Sequence, residues 1–193
     1  MSQRLNRCDK LMQNPSFENL FALLCENEGA DAALWLEGDN LRNYTFGEMK
    51  RRALSCAARI EELEFGRAGG WVGIAVDTFP LWPVLFCALL AAGRNVILLD
   101  ASLDDGRIAH LMRQPEADAL ISRRERDVPA RMLAPEALLE DCEPISSARW
   151  GEMVAFCTSG TTSTSRVFAY DAKAICSNLA GIIRRQTAIN PIT

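Results

Sequence analysis

The chain contains a single histidine, His110, and its seven cysteines form no C-x-x-C pair. Metal centres built on imidazoles are thereby excluded, and so is chemistry that needs two imidazoles, while the cysteines offer no paired-thiolate motif. Long hydrophobic runs are missing as well. The longest, residues 79–93, has about fifteen residues against the roughly 20 that span a bilayer, and it carries Pro80 and Pro83. Met1-Ser2-Gln3-Arg4-Leu5-Asn6-Arg7 has no apolar h-region of a secretory signal, so the expectation is a cytoplasmic protein without a membrane span. Positive charge is not in excess: the net charge is -4, which gives no basic field for nucleic acid or an anionic membrane. Two familiar nucleotide loops are also absent. From Gly160 the spacing G-x-x-x-x-S-R-V lacks the second glycine, the lysine and the Ser/Thr of a Walker A loop. The glycines at 66, 69 and 70 precede a strand rather than follow one, so there is no dinucleotide fingerprint.

What is present is ordinary for a globular protein: 49% hydrophobic and 24% charged residues. A length of 193 residues suits one domain or one large subdomain with a real core. The odd cysteine count (Cys8, Cys25, Cys56, Cys87, Cys142, Cys157, Cys176) reads as reduced, buried thiols. Ser16 can cap a helix carrying Phe17, Leu20, Phe21 and Leu24. Residues 32–36 and 41–44 predict a hairpin around Gly38-Asp39-Asn40. Thr45-Phe46-Gly47-Glu48 predicts a capping box and a helix to about Glu64. Strands at 71–76, 95–99 and 117–122 then alternate with helices at 81–92 and 104–113, the pattern of a parallel sheet covered on both faces. Residues 123–150 read as a solvated connection with one short helix near 136–140, the charges at 123–127 lying in water. A strand at 153–157, another at 167–170 and a helix from Ala172, capped by Asp171, complete the pattern.

Between these last two strands lies Thr158-Ser159-Gly160-Thr161-Thr162-Ser163-Thr164-Ser165-Arg166. An apolar strand opening into a small, hydroxyl-rich turn exposes many N–H and O–H donors, which suits phosphate oxygens. Other candidates receive plainer readings. His110 is a surface or packing residue. Cys157 ends an apolar strand without a basic partner and reads as buried rather than nucleophilic. Trp71 and Trp82 are expected in the core, and Asp100 in a loop or cap hydrogen bond.

Thr158-Ser159-Gly160-Thr161-Thr162 matches the first half of the phosphate loop Thr-Ser-Gly-Thr-Thr-Gly-x-Pro-Lys-Gly of the adenylate-forming (AMP-binding) superfamily. Asn43-Tyr44-Thr45-Phe46-Gly47-Glu48-Met49 is similar to that family's first core motif, and residues 90–100 (LAAGRNVILLD) resemble its second. Order and spacing agree from about residue 16 onward. The resemblance implies an α/β fold, a mainly parallel sheet with helices on both faces, forming part of the family's large N-terminal domain. Within it, residues 1–15 would be a polar N-terminal segment, 123–150 a variable connection and 158–167 the phosphate loop.

The same resemblance implies an ATP-dependent carboxylate-activating ligase. Thr158, Ser159, Gly160, Thr161, Thr162, Ser163, Thr164 and Arg166 would bind the nucleotide phosphates, and Mg²⁺ would arrive with ATP rather than on a protein metal site. A small carboxylic acid would be the substrate. CoA would be the acceptor, as in the acyl-CoA synthetases of fatty acid metabolism, or alternatively the phosphopantetheine of an acyl carrier protein. No catalytic residue of the family falls within these residues. Its adenine and ribose motifs and its catalytic lysine are not found in them either, so residues 1–193 alone are expected not to complete adenylation. The loop departs from the family at Ser163, Ser165, Arg166 and Val167, which replace glycine, proline, lysine and glycine, and Ala172 replaces a histidine common just beyond it. Arginine keeps the cation but is no equivalent of lysine's point charge, and Ser163 gives up glycine's freedom. A degenerate scaffold homologue and an unrelated phosphate-binding or NTPase domain are the alternatives.

Overall fold

The computed structural model describes residues 9–37, 39–140, 142–158 and 165–189. Local signals start each helix where they are written. Ser16 Oγ accepts from Asn19 N–H at 3.1 Å and opens α1, Phe17–Leu24. The hairpin follows as β1, Asp31–Glu37, and β2, Asn40–Thr45, in antiparallel register; Gly38, in the expected turn, lies outside the described residues. At Thr45 both halves of the capping box are made, with Glu48 N–H donating to Thr45 Oγ1 and Thr45 N–H donating to Glu48. This box opens α2, Phe46–Glu62.

The alternating pattern then yields β3 (Trp71–Ala75), α3 (Trp82–Ala91), β4 (Asn95–Leu98), α4 (Asp105–Arg113) and β5 (Ala119–Ser122). After them come β6 (Arg131–Leu133), the single turn α5 (Pro135–Leu138), β7 (Met153–Cys157), β8 (Val167–Asp171) and α6 (Ala172–Ile189). Six strands form one sheet in the order β6-β5-β3-β4-β7-β8, parallel throughout except for the antiparallel β7–β8 pair. The fold is therefore mixed α/β with a mostly parallel sheet, as the alternation predicts. One sheet face carries Val72, Ile74, Val96 and Val154 against Cys56, Ala57 and Ile60 of α2 and Leu85, Ala88 and Leu89 of α3. The opposite face packs Ile97, Leu120 and Ala155 on Ile108, Leu111 and Met112 of α4. A third cluster seats the hairpin and α1 through Phe21, Tyr44, Met49 and Val84.

Several expectations need correction. Residues 123–150 are more than a wet connection with one helix: β6 pairs with β5 there, from Ala119↔Arg131 to Ile121↔Leu133. Nor do all the charges at 123–127 lie in water, because the Arg126 side chain is 3% exposed. It is affordable there because its N–H groups find acceptors on Ser122, Leu103, Ala101 and Asp105. Trp71 and Trp82 are half-buried, packed against the core rather than inside it. In the polar N-terminal segment, residues 9–13 are helical and Leu11 is buried; residues 1–8 lie outside the described residues.

The amino edge of the sheet is fixed by a few polar contacts. Asn95 Nδ2 donates to Gly69 O at 2.9 Å, while its Oδ1 accepts from Glu152 N–H at 3.0 Å and Met153 N–H at 2.9 Å. The neighbouring Arg94 guanidinium binds Glu61 and the carbonyls of Phe65, Gly66 and Ala92. Gly151 runs so close to Arg94 that a Cβ would collide with the Arg94 carbonyl. Asn95→Ala would leave two N–H groups and one carbonyl without partners. The expected loss is about 2–4 kcal/mol, read as a lower urea midpoint with an unchanged slope.

The six described cysteines are all free. Burial pushes the Cys25 thiol up to about 11 and the Cys56 thiol up to about 12. Both are therefore neutral at neutral pH, and reaction of a thiol requires the thiolate. Iodoacetamide at pH 8 is expected to leave Cys25 and Cys56 unmodified in the native protein and to alkylate them after unfolding, as mapped by peptide mass spectrometry. These raised values also set a pH window. The stabilisation they reflect is complete below the ordinary thiol value of 9.0 and is lost as pH climbs towards about 11–12.

Candidate functional site

The carboxyl ends of the parallel strands bring four connections to one edge: residues 76–81 after β3, 99–104 after β4, 123–130 after β5 and the segment after β7. The adjacent strands β3 and β5 send their chains in opposite directions, β3 towards β4 and β5 towards β6. Such divergence at the carboxyl edge marks the usual ligand position in α/β sheets.

Thr158 leaves β7 and Arg166 enters β8 at this edge, and their backbones meet. Thr158 N–H donates to Arg166 O at 3.1 Å, and Arg166 N–H donates to Thr158 Oγ1 at 3.3 Å. A regular ladder would use the Thr158 carbonyl as the second acceptor. Substitution by the hydroxyl marks the point where the two strands part. The Thr158 oxygen accepts here, so its hydroxyl proton is left to donate elsewhere. Thr158 and Arg166 are both exposed, and among the described residues no carboxylate pairs with the Arg166 guanidinium. Ser159, Gly160, Thr161, Thr162, Ser163 and Thr164 lie outside the described residues. On its other side, the Ser165–Val167 stretch meets Gln114, which caps the end of α4.

Four charged side chains at this edge, Asp100, Asp105, Arg123 and Arg126, are committed to the fold. Arg126 Nη2 donates to Ala101 O at 2.6 Å and its Nη1 to Leu103 O at 2.9 Å, which fixes the loop after β4. Asp105 is held below the usual carboxylate range, first by the Asp127 N–H and then by Arg126. Asp100 is also held low, first by the Ser102 hydroxyl at 2.7 Å and then by the Ser102 N–H at 2.8 Å. It makes a loop hydrogen bond, as expected of it. Arg123 stacks over the Phe79 ring at 4.4 Å and pairs with Glu136 at 2.8 Å, joining the connections after β3 and β5. Tyr44 Oη donates to Pro80 O at 2.6 Å and ties the hairpin to the same edge.

His110 is exposed and touches Gln114. Cys157 is half-buried, and burial raises its thiol, the opposite of what activates a nucleophile. Among the described residues no group of His, Cys, Asp or Glu could hold a metal ion. Among the described residues the edge thus offers hydroxyl and N–H donors and two exposed guanidiniums without a carboxylate partner, those of Arg124 and Arg166, a binding chemistry rather than a covalent one. Sequence reasoning singled out Thr158 and Arg166, which the structure brings together, and missed the contacts of Arg126 and Gln114. An arginine in a charge run and a glutamine at a helix end both read as surface, and only the partners in space distinguish them.

A family model described as AMP-binding enzyme matches residues 24–190. No curated protein matches the chain. Among solved structures, the Klebsiella oxytoca NpsA N-terminal subdomain superposes with a TM-score of 0.70 at 16% identity, covering 84% of this chain and 43% of that one. VinN in complex with 3-methylaspartate gives 0.71 at 16% identity, covering 86% and 50%. NpsA-ThdA, an artificially fused adenylation–PCP di-domain from Klebsiella oxytoca, gives 0.64 at 16% identity, covering 75% and 28%. The chain spans half or less of the length of these three proteins. No helix among the described residues is long and apolar enough to cross a membrane. With the family model covering most of its length and the fold agreeing, the chain belongs to the AMP-binding, adenylate-forming enzymes.

Proposed function

We propose that these residues form the phosphate-binding side of an ATP-dependent ligase that converts a small carboxylic acid to its acyl-adenylate. The observation that carries this reading is the Thr158–Arg166 pair at the sheet's carboxyl edge, with the Arg166 guanidinium exposed and unpaired among the described residues. Bound MgATP supplies an electrophilic α-phosphorus and a pyrophosphate leaving group, with Mg²⁺ carried on the phosphates. Attack by the substrate carboxylate forms the acyl–phosphate bond and releases pyrophosphate. The Thr158 hydroxyl, the donors of Ser159, Gly160, Thr161, Thr162, Ser163 and Thr164, and Arg166 hold the β- and γ-phosphates. They stabilise the charge that builds there as the α–β bridge breaks. Because the related structures are about twice as long, the full reaction is assigned to the complete polypeptide.

The acceptor expected from sequence is CoA, with a carrier protein as the alternative. The fused adenylation–PCP neighbour supports the carrier. NpsA bound to anthranilyl-AMSN and VinN bound to 3-methylaspartate support small aryl or amino acids as substrates. In the full-length protein, ATP–pyrophosphate exchange is expected to depend on one member of a panel of aryl, amino and fatty acids. Arg166→Ala should lower exchange roughly tenfold or more, and Arg166→Lys, which keeps the charge but not the forked geometry, should fall between it and wild type. Residues 1–193 alone should show none. Thioester formation on CoA or on a phosphopantetheinylated carrier then identifies the acceptor. Absence of MgATP binding by calorimetry in the full-length protein would replace this reading with that of a non-catalytic homologue.

A further inference from the structure

We propose that Gln114 is a positioning residue for Arg166, an inference that rests on the phosphate-binding role given above. Gln114 Nε2 donates to Ser165 O at 3.1 Å, and Gln114 Oε1 accepts from Val167 N–H at 3.1 Å. In extended chain, the carbonyl of one residue and the N–H two positions later point to the same side, while the residue between them points its own N–H and carbonyl to the other. The Arg166 N–H and carbonyl do face the other way, towards Thr158. The Gln114 carboxamide therefore acts as one residue of a missing neighbouring strand, and the backbone of residues 165–167 is hydrogen-bonded along both edges. Of the side chains, only those of glutamine and asparagine offer a donor and an acceptor in this fixed amide arrangement.

The amide orientation follows from its partners, since a carbonyl requires the NH₂ end and an N–H requires the oxygen. With the NH₂ end so assigned, the second contact of Nε2 is to His110 Nε2 at 3.2 Å, one turn back on α4. Two donors cannot pair, so in this contact the ring nitrogen is the acceptor. Helix α4 in turn is anchored in the core by Ile108, Leu111 and Met112. A continuous chain of contacts thus runs from the buried face of α4 through Gln114 to the backbone that carries the Arg166 guanidinium. It holds the base of that side chain in one direction before any ligand arrives, which reduces the ordering cost on binding.

Hydrogen exchange separates the contact from its function. In Gln114→Leu, the Val167 amide is expected to exchange at least tenfold faster than in wild type, while amides of β3 and β4 and the melting temperature stay unchanged. In the full-length protein the same substitution should raise KM for ATP or lower kcat by about three- to tenfold and leave KM for the carboxylic acid unaltered. Gln114→Glu, which keeps the acceptor for Val167 and loses the donor to Ser165, should fall between. An unchanged Val167 exchange rate overturns the contact. Faster exchange with unchanged ATP kinetics overturns the positioning role and leaves the phosphate-binding reading standing. Wild-type protein that binds no MgATP overturns that reading and the role with it, even if exchange reveals the contact.

Discussion

The structure depends on one buried amide at the amino edge of the sheet, that of Asn95, which is 9% exposed. Its Nδ2 holds the turn before β3, its Oδ1 holds the two residues that lead into β7, and its backbone N–H donates to Gly70 O at 2.8 Å. One side chain therefore sets three parallel strands to a common starting level. Hydrophobic packing specifies this less sharply, because a strand that is apolar on both faces can slip without turning polar side chains inward, whereas any slip strips buried polar groups of their partners. Once the amino ends are level, the register carries the alignment across. Ile74 pairs with Leu98, and Leu98 with Phe156, so the chains after β3, β4 and β7 emerge together. Gly151 completes the arrangement, since any side chain there would push the β7 lead-in away from Arg94.

The carboxyl edge is then shaped by charge, and its charges divide by how far they are engaged. Arg126 is buried against four acceptors, the carbonyls of Ala101 and Leu103, the Ser122 hydroxyl and the Asp105 carboxylate, and Arg123 is shared between Phe79 and Glu136. Asp100 and Asp105 are ionised groups whose oxygens already accept from nearby N–H and O–H donors. Such residues hold the connecting loops together and gain little from a ligand, because a ligand would have to displace bonds already made. Arg166 differs: it is exposed, and it stands where the β7–β8 ladder opens. Arg124 is also exposed and unpaired, so it is position beside the opened ladder, rather than residue type or lack of engagement alone, that favours Arg166 in the proposed phosphate-binding role.

Helix starts were legible because a cap is a local event. Ser16, the Thr45–Glu48 box, Asp104 and Asp171 each bond an N–H within three residues. Strands β3, β4 and β7 were legible for a related reason: a strand covered on both faces must be apolar throughout. Strand β6 was not, because Arg131-Met132-Leu133 is three residues long, lies at the sheet edge between Pro129 and Pro135, and is defined only by its pairing with β5. Arg126 was misread because the carbonyls that receive it come from residues 101 and 103, and Gln114 because its acceptor and donor lie some fifty residues away. What the sequence hid is polar and long-range. What it displayed is apolar or local.

The departures from the family loop acquire a physical meaning from the strand that follows it. Val167 stands where the family has glycine, and its side chain packs against the cluster of Ile97 and Ala155 while its N–H is held by Gln114. Glycine at that position would serve a pliable exit from the loop. Here the exit is the first residue of a packed strand. Ser165 in place of proline fits the same arrangement, since the contact made there uses only a carbonyl, which either residue would provide. Arginine for lysine at 166 then follows as a compensation. When the backbone beneath a cation is fixed, a planar, forked guanidinium matches phosphate geometry with several donors from one direction, whereas an ammonium gains more from freedom to turn. A rigid stem and an arginine are mutually consistent, as a supple stem and a lysine are.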